Sequence, residues 1–316
     1  MTPTINRIFD ALHRFEKGVF QFNNPVSPSD LNALESRLPA PLPPLWPALL
    51  THHDGFDLRG DRFFGAAECL ARWVRWQQDE RKRYMMLEGW TGEPPTELLP
   101  VATDLEGNLK VVDLITHEVW DWHAESGRLT LWFTQPENLV LCGVETLELR
   151  FDKSGRPKGL SARQQASLLR DELLLHVRYE SDVMYPQLEL ARWFEKFGTP
   201  EDALLCYQRA AAASMATVEA YYELGRYCAM RGKNDAARRA LRHASAVLLG
   251  DNPMKHAPPS GVRLAGHQIL AHLYTQVGQV TLADSQRQAA DQLLKREGIG
   301  WYAETDAYRD VIKIVG

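Results

Sequence analysis

The sequence has few of the features that mark secreted, membrane-bound or metal-binding chains. Its four cysteines are scattered, so we predict neither a disulfide framework nor a cysteine metal site. No run approaches the roughly 18 apolar residues of a membrane span, and the first twenty residues lack the apolar core of a secretory signal. We therefore expect a cytoplasmic protein without a membrane partner.

Charge and catalytic motifs are equally uninformative about a ligand. A formal net charge of −5 with 24% charged residues gives no broad attraction to nucleic acid, so nucleic acid is not an expected partner. The chain contains no phosphate-binding glycine loop, nucleophile elbow or zinc-protease motif. We predict a non-catalytic protein without a cofactor; an enzyme whose residues are dispersed along the chain is the alternative.

Two short polar stretches have structural and functional interpretations. His52, His53 and Asp54 are adjacent, which points their side chains in different directions, and no outside ligand completes a site. We predict a helix exit and a turn in which Asp54 accepts backbone amides and Gly55 takes a positive φ, with a metal or catalytic cluster as the alternative. The stretch DLEGN at 104–108 lacks the ligand pattern of a calcium loop and predicts a hairpin turn.

Composition divides the chain into two parts. Seven of the nine tryptophans lie before residue 150, whereas the alanine clusters lie after residue 200. A chain of 316 residues has room for two cores of ordinary size. We predict one domain over 1–158 and a second over 159–316.

The first domain is predicted to be α+β. Helical patterns cover 5–19, a segment capped by Ser27, 45–51 and 66–87. Three apolar runs follow between 97 and 133, divided by turn residues, and predict an antiparallel meander. Trp120 and Trp122 should share one face of that sheet. A further strand is predicted at VETLELRFD, 144–152, ending in a turn at DKSG.

The order of short motifs in this domain resembles the SUKH superfamily. The matching features over about 1–150 are Glu35, Leu38 and Pro39, the segment before Asp54-Gly55, Pro100, the turn at 104–108, Asp113 and the stretch Val119 to Trp122. That superfamily contains fungal regulators of cell-wall synthesis and bacterial immunity proteins against polymorphic toxins. The resemblance implies a binding domain without catalysis.

The second domain repeats itself every 34 residues. Moving forward by 34 from Leu190, Gly198, Ala203 and Ala210 gives Leu224, Gly232, Ala237 and Ala244. A third copy is displaced by 46 residues, and the extra 12 residues form the insertion GDNPMKHAPPSG at 250–261. This period is typical of helix-turn-helix units that stack because each exposes an apolar face only a neighbour can cover.

The repeats over about 184–297 resemble the tetratricopeptide repeat (TPR), a family of interaction modules. The resemblance implies an all-α solenoid whose first helices present a concave face to a partner. Arg192 and Arg226 occupy equivalent positions, so both could face one groove and receive a carboxylate, although a solvated face is the alternative. The concave positions carried over from the family are Tyr185, Leu188, Arg192, Glu195, Lys196, Glu219, Tyr222, Arg226, Met230, Gln268, His272 and Gln276, and the predicted partner contacts among them are Tyr185, Arg192, Lys196, Tyr222, Arg226 and His272.

A basic and aromatic stretch at 71–84 is the second candidate contact surface. Trp73 and Trp76 lie three apart on one helical face, and Arg75 and Arg83 are the candidate contacts beside them. The favoured interpretation is a core-facing aromatic pair with a solvated basic back. An acidic protein partner is the next alternative, and nucleic acid the last.

Together these patterns predict a non-catalytic protein-binding protein. The leading hypothesis is an immunity protein that neutralises a toxin by occluding it, because the first domain resembles SUKH members and the acidic balance suits a basic toxin domain. The alternative is a scaffold or adaptor that bridges cellular proteins through its repeats. The oligomeric state is not predicted.

Overall fold

The fold was analysed in a computed structural model of the chain. Inter-residue contacts divide the chain into two units, 1–186 and 187–316. The division lies beyond the predicted boundary at 158/159, because the helix over 162–179 packs against the helix over 136–150. The structure describes residues 3–15, 20–58, 61–80, 97–123, 129–214, 216, 218–249, 267–268, 270–271, 274–275 and 278–297.

The first unit combines helices with an antiparallel sheet, as the sequence predicts. Among the described residues, four helices and three short strands come first, a four-stranded meander follows, and two long helices come last. The elements are α1 (Pro3–Leu12), β1 (Gln21–Phe22), α2 (Pro28–Glu35), α3 (Leu45–His52), β2 (Phe56–Asp57), β3 (Arg62–Phe63), α4 (Ala66–Arg75), β4 (Leu98–Thr103), β5 (Leu109–Asp113), β6 (Val119–Trp122), β7 (Leu129–Phe133), α5 (Pro136–Arg150) and α6 (Ala162–Tyr179).

The seven strands pair in sequence order, each antiparallel to the next. Because side chains directly opposite in the pairing share a face, the register gives one apolar face that contains Trp120 and Trp122, as predicted. Trp122 packs edge-on against Trp76 with ring centroids 5.7 Å apart. The other face carries Lys110 opposite Asp121, and Asp121 opposite Thr130. A row of polar side chains therefore crosses a sheet whose strands are buried.

The predicted strand at 144–152 is wrong, because this segment is the second half of α5. Leu147, Leu149 and Phe151 alternate in sequence, which suggested a strand. The helix begins upstream with Pro136 at its first position, and its buried residues Val140, Val144 and Leu147 recur at helical spacing. The predicted turn at 152–155 is confirmed, since the Gly155 N–H donates to the Asp152 carbonyl over 2.9 Å.

The other predicted helices of this unit are present, but their boundaries differ from the prediction. The predicted Ser27 cap is confirmed, since its hydroxyl accepts the Asp30 N–H. The helix predicted over 5–19 ends at Leu12, where the N–H groups of Arg14 and Phe15 donate to carbonyls three residues back instead of four. α4 continues as a π-helical turn over 76–80, and the rest of the predicted helix to 87 lies outside the described residues.

The turn after α3 is fixed by an aspartate and a glycine, as predicted. The Asp54 carboxylate accepts the Ala66 N–H at 2.6 Å, at the start of α4. Gly55 has φ +84°, and a side chain there would place Cβ 2.7 Å from the Gly65 nitrogen and 2.8 Å from the Phe63 carbonyl oxygen. Only glycine fits this point, where two backbone segments nearly touch.

The second unit consists of helices at the predicted period. In the described part of the chain the helices with defined bounds are α7 (Met184–Phe197), which begins three residues before the unit does, α8 (Pro200–Ala212), α9 (Val218–Met230), α10 (Asn234–Leu249) and α11 (Val280–Glu297). Residues 267–268, 270–271 and 274–275 are also helical. α9 begins 34 residues after α7, α10 begins 34 after α8, and α11 begins 46 after α10. The 34-residue period and the longer third step are therefore confirmed. The insertion at 250–261 lies outside the described residues.

Small residues lie where the helices of a repeat cross, as the repeat pattern predicts. A Cβ on Gly225 of α9 would come 2.6 Å from the Leu241 side chain of α10. Gly232 has a positive φ after α9, which agrees with the prediction for a helix-ending glycine. Gly198 does not, and that part of the prediction is wrong. A Cβ at 198 would lie 2.3 Å from the Phe194 ring, so any larger residue would force that ring to move. Along the described residues no helix is both long and apolar enough to cross a membrane.

Gly55 and Gly107 form a matched pair that tests the turn after α3. Both have φ +84°, but nothing lies within 4 Å of a Cβ built on Gly107. Gly107→Ala should cost only the backbone strain, about 1–2 kcal/mol. Gly55→Ala should lower the free energy of unfolding by roughly 1–3 kcal/mol more, because its Cβ meets backbone that cannot move aside. Urea unfolding followed by tryptophan fluorescence reports this unit, since most tryptophans lie in it. Equal losses in the two variants would contradict the steric argument.

Candidate partner-binding face of the helical repeats

Arg192 lies in the middle of α7 and joins it to α9. Its Nη1 donates to Glu189 Oε1 on the same helix at 2.6 Å. Its Nη2 donates to Glu219 Oε1 at 2.9 Å and to Glu223 Oε1 at 3.3 Å, both on α9. The guanidinium therefore links the first helices of two consecutive repeats through three carboxylates.

Arg226 makes the reciprocal connection from α9 back to α7. Its Nη1 and Nη2 donate to the two carboxylate oxygens of Glu195 at 3.0 and 2.7 Å, a bidentate pair. Its Nε donates to Glu223 Oε2 at 2.7 Å, and its Nη2 also reaches the Tyr207 hydroxyl of α8 at 3.3 Å. Glu223 thus bonds both arginines.

We call this network the ion-pair ladder. It contains two guanidinium groups and four carboxylates, so its formal charge is 2 − 4 = −2. The ladder is partly buried: the Glu219 side chain is 2% exposed and the Glu223 side chain 14%, whereas Arg192 and Glu189 are 34% and 39% exposed. Its members are Arg192, Arg226, Glu189, Glu195, Glu219 and Glu223.

Titration behaviour in the ladder follows from this pairing. Burial opposes ionisation of Glu195, but hydrogen bonds from Arg226 and Tyr207 outweigh it and lower the pKa of this carboxyl. Burial also opposes the charge on Arg192, but Glu189, Glu219 and Glu223 raise its pKa. Glu195 and Arg192 are therefore both held in their charged forms. The face is therefore a fixed charge array whose members already satisfy one another.

This arrangement changes what the two arginines can do. The sequence suggested that they could receive a carboxylate from a partner. In the structure, glutamates of α7 and α9 already occupy that place. The donor–acceptor distances between the arginines and these glutamates are 2.6–3.3 Å. An incoming carboxylate would have to displace one of these glutamates. The arginines are positioned to hold two repeats together before any partner arrives.

The remaining predicted contacts divide by their exposure. Tyr185 is 8% exposed and Tyr222 is 2% exposed, so both rings contribute to packing. Lys196 is exposed at the end of α7, with its Nζ 5.0 Å from the centroid of the Phe197 ring. The predicted contacts His272 and Arg83 lie outside the described residues.

Sequence reasoning overlooked the residue beside Lys196 and the partners of the arginines. The Phe197 side chain, at the end of α7, is 52% exposed. The exposed fraction of Met230, at the end of α9, is similar at 61%. The arginine partners had a visible signal: Glu189 lies three residues before Arg192, and Glu223 lies three before Arg226, so the pair repeats with the 34-residue period. The contacts between α7 and α9 carry no local pattern.

The basic stretch of the first unit agrees with its favoured interpretation. Trp76 is 1% exposed, and Trp73 is partly buried against the same core. Arg75 is exposed on the outer side of α4. Neither tryptophan is placed as an open stacking platform, and Arg75 lies in a different unit from the ion-pair ladder.

Comparisons with known proteins add little to this picture. No family model matches the chain, and no curated protein matches it significantly. Among solved structures, a crystal structure of MamA protein matches 48% of the chain and 84% of its own length at 14% identity, with a TM-score of 0.28. A second MamA crystal structure matches 50% of the chain and 96% of its own length at 16% identity, with a TM-score of 0.26. Scores this low support no argument about fold or function.

Removing one arginine should loosen the repeats. Arg226→Met keeps the aliphatic stem but removes the guanidinium that Glu195 bonds and one of the two that Glu223 bonds. It should cost about 2 kcal/mol, the scale for hydrogen bonds to charged groups. Hydrogen exchange should therefore accelerate in α7 and α9. Arg287→Met is the control: it loses the half-exposed pair with Asp284 and a hydrogen bond to the Thr275 hydroxyl, but leaves no buried carboxylate unpaired, and should cost about 1 kcal/mol or less. If the two variants behave alike, the ladder does not stabilise the unit.

The ladder should also give the unit a defined acid sensitivity. A carboxyl whose pKa is lowered on folding stabilises the protein above its unfolded pKa of about 4.3, and this contribution is lost as pH falls through the folded pKa. Wild type should therefore exceed Glu195→Gln in unfolding free energy at neutral pH, and the difference should shrink below about pH 4. Urea unfolding followed by circular dichroism between pH 7 and pH 3 tests this. The exposed Asp291→Asn variant on α11 should differ little from wild type at neutral pH. A difference for Glu195→Gln that does not change with pH would contradict the assigned role.

Proposed function

We propose that the chain is a non-catalytic protein-binding protein and that its helical repeats, which resemble TPRs, hold a protein partner in the manner of an adaptor. The observation that carries the proposal is the pair of exposed apolar side chains, Phe197 and Met230, at the carboxyl ends of α7 and α9. They stand at corresponding ends of the two helices that the ion-pair ladder joins. We call them the helix-end pair.

The chemistry of the helix-end pair suits a protein contact. Aromatic side chains and methionine are enriched at the cores of interfaces, where a few such residues supply most of the binding energy. The Lys196 ammonium beside the Phe197 ring adds a cation next to the apolar surface. A partner segment with an apolar side chain flanked by an acidic one would match this combination.

A member of the ion-pair ladder contacts the helix-end pair. Arg226 Nη1 lies 2.9 Å from the Met230 sulfur, and the same nitrogen bonds Glu195, two residues before Phe197. The ends of α7 and α9 are therefore linked through one guanidinium. Groups held in place by packing lose less entropy on binding than groups on mobile segments.

Support for a non-catalytic role comes from the stretch THHDGFD. The His53 Nδ1 lies 3.0 Å from the Asn23 carbonyl oxygen, and its ring stacks on Phe22 with centroids 4.1 Å apart. The Asp54 carboxylate accepts a backbone N–H. These side chains hold a turn, which is the role that the sequence favours for them.

The proposal is tested by removing the helix-end pair from the full chain. The tagged protein is crosslinked in its native cell, and the partner recovered in near-equal amount is purified and titrated against the variants. Phe197→Ala with Met230→Ala should weaken binding by about tenfold or more, the scale of an interface hot spot. Leu205→Ala is the matched control, because Leu205 is 44% exposed but lies on α8, a second helix of the repeat. The unfolding midpoints of both variants should stay close to that of wild type.

Three outcomes would contradict this proposal. Binding that survives loss of the helix-end pair would place the partner elsewhere. Equal weakening by Leu205→Ala would mean that exposed apolar surface in general, and not this pair, attracts the partner. Several unrelated partners recovered in unequal amounts would also count against a specific contact.

A second candidate function is neutralisation of a toxin by occlusion. It rests on the resemblance of residues 1–150 to SUKH immunity proteins, and the net charge of −5 favours a basic partner. Co-expression with a toxin encoded beside its gene tests this directly. Protection of the cells, together with a purified one-to-one complex, supports immunity. Growth arrest that the chain does not relieve would contradict it.

A further inference from the structure

The first unit contains a cavity of about 330 Å³ that no part of the proposed function uses. Its size lies at the lower end of the range of about 300–1,000 Å³ typical of small-molecule sites. Side chains from β5, β7, α5, α6 and the turn between β4 and β5 form the wall. We call it the acidic cavity; among the described residues its lining includes Leu58, Asp61, Asp104, Leu105, Glu106, Lys110, Phe133, Leu139, Gly143, Thr146, Leu147, Arg150, Glu172 and His176.

Both cations of the lining are already paired. Lys110 Nζ donates to Asp121 Oδ2 at 2.5 Å, across the polar row of the sheet. The Arg150 guanidinium donates to both carboxylate oxygens of Glu172 from α6. Neither cation is therefore available to a ligand without losing a carboxylate, and the cavity does not suit an anion.

Asp61 is a lining carboxylate that bonds neither of these cations. Within the described residues its side chain has no hydrogen bond or ion pair, whereas Asp104 accepts the N–H groups of Glu106 and Asn108. Burial, together with the nearby charges of Asp121 and Asp104, raises the pKa of Asp61 in spite of the attraction of Lys110. Among the described lining residues, the four carboxylates Asp61, Asp104, Glu106 and Glu172 outnumber the two cations Lys110 and Arg150.

A second observation comes from the helix side of the cavity. His176 of α6 lines it, and its Nδ1 is buried with no hydrogen-bond partner in the described part of the chain. The ring packs edge-on against Trp132 with centroids 5.0 Å apart. Burial lowers the pKa of His176 to about 3, so the imidazole is neutral. A buried neutral ring nitrogen without a partner can accept a hydrogen bond from an N–H donor.

The sheet side repeats this incompleteness. Asp121 is 6% exposed, and its Oδ1 has no hydrogen-bond partner among the described residues, although its Oδ2 holds Lys110. Asp121 itself is not among the lining residues and reaches the cavity only through Lys110, which lines it. Buried polar atoms are nearly always satisfied in folded proteins, so the unfilled Nδ1 of His176 on the lining favours a hydrogen-bond donor inside the cavity.

We propose that the acidic cavity binds the ammonium or guanidinium head of an organic cation on a short apolar stem. The head would lie against Asp61, and the stem against Leu139 and Leu147. No group of three histidine, cysteine, aspartate or glutamate side chains in the described residues could hold a metal ion, so an organic cation fits better than a metal. The volume holds roughly ten non-hydrogen atoms, at about 30 Å³ for one water. The cation comes either from a free amine or from a lysine or arginine side chain of a peptide.

Calorimetric titration of the full chain with four small probes tests the chemistry. The probes are n-butylammonium, n-butylguanidinium, the neutral n-pentanol and the anion pentanoate. Only the two cations should bind. A glycine-serine peptide with one arginine distinguishes the sources, because binding of the peptide points to a basic side chain and binding of the free amines alone points to a small molecule.

Variants locate the site and separate binding from folding. Asp61→Asn should weaken cation binding by about tenfold or more, because it removes the charge that the head contacts. Asp284→Asn on α11, an exposed residue with the same loss of charge, should change it less than about twofold. Thr146→Phe narrows the cavity from α5 without altering charge and should abolish binding, which covers the case in which Asp61→Asn does not fold.

The competing explanation is that Asp61 is only a costly buried charge. In that case Asp61→Asn would raise the unfolding temperature, and no cation would raise that of wild type. That result would overturn the proposal, as would equal binding of n-pentanol and the cations, since the cavity would then respond to apolar volume alone. None of these outcomes bears on the helix-end pair, so the two proposals fail separately.

Discussion

A charge taken out of water must be paired, and this constraint organises both units of the chain. The cost of removing an ion from water is several kcal/mol, and it is recovered only where a counter-ion and hydrogen bonds are in place. In the repeats, Arg192 and Arg226 meet it by holding glutamates of neighbouring helices. In the first unit, the pair between Lys110 and Asp121 ties β5 to β6 in the middle of a buried sheet face. Each pair fixes the relative position of elements that apolar contacts alone would leave freer to slide.

The repeats show what this pairing does to a binding face. Stacked helices with apolar and alanine-rich contacts specify that two repeats pack but only loosely specify their register. Four carboxylates around two guanidinium groups fix that register, because bidentate hydrogen bonds are directional. The same bonds consume the charge that a groove would otherwise offer to a partner. This is why the proposed function assigns the partner contact to the ends of α7 and α9, where Phe197 and Met230 are exposed.

Local patterns in the sequence were enough for most of the fold. The 34-residue period, the Ser27 cap, the turn at Gly55 and the face shared by Trp120 and Trp122 follow from rules that act over a few residues or a fixed repeat. The segment 144–152 failed because its local alternation competed with a helix whose signal starts at Pro136. The site was less predictable. Exposure of Phe197 and burial of Tyr222 depend on which helices pack together, and that is a nonlocal outcome.

The two units differ in how they handle an excess of carboxylates, and this difference separates their expected functions. In the ion-pair ladder the excess is shared, since Glu223 bonds both arginines and each glutamate reaches a guanidinium. In the acidic cavity each cation instead holds one carboxylate by hydrogen bonds, and Asp61 is left beside open volume. Every carboxylate of the ladder already bonds a guanidinium, whereas the Asp61 side chain has no hydrogen-bond partner among the described residues and would gain more from a cation. In the repeats, charged groups therefore hold neighbouring helices together. In the first unit, the Asp61 carboxylate is the group that we propose binds a cationic ligand.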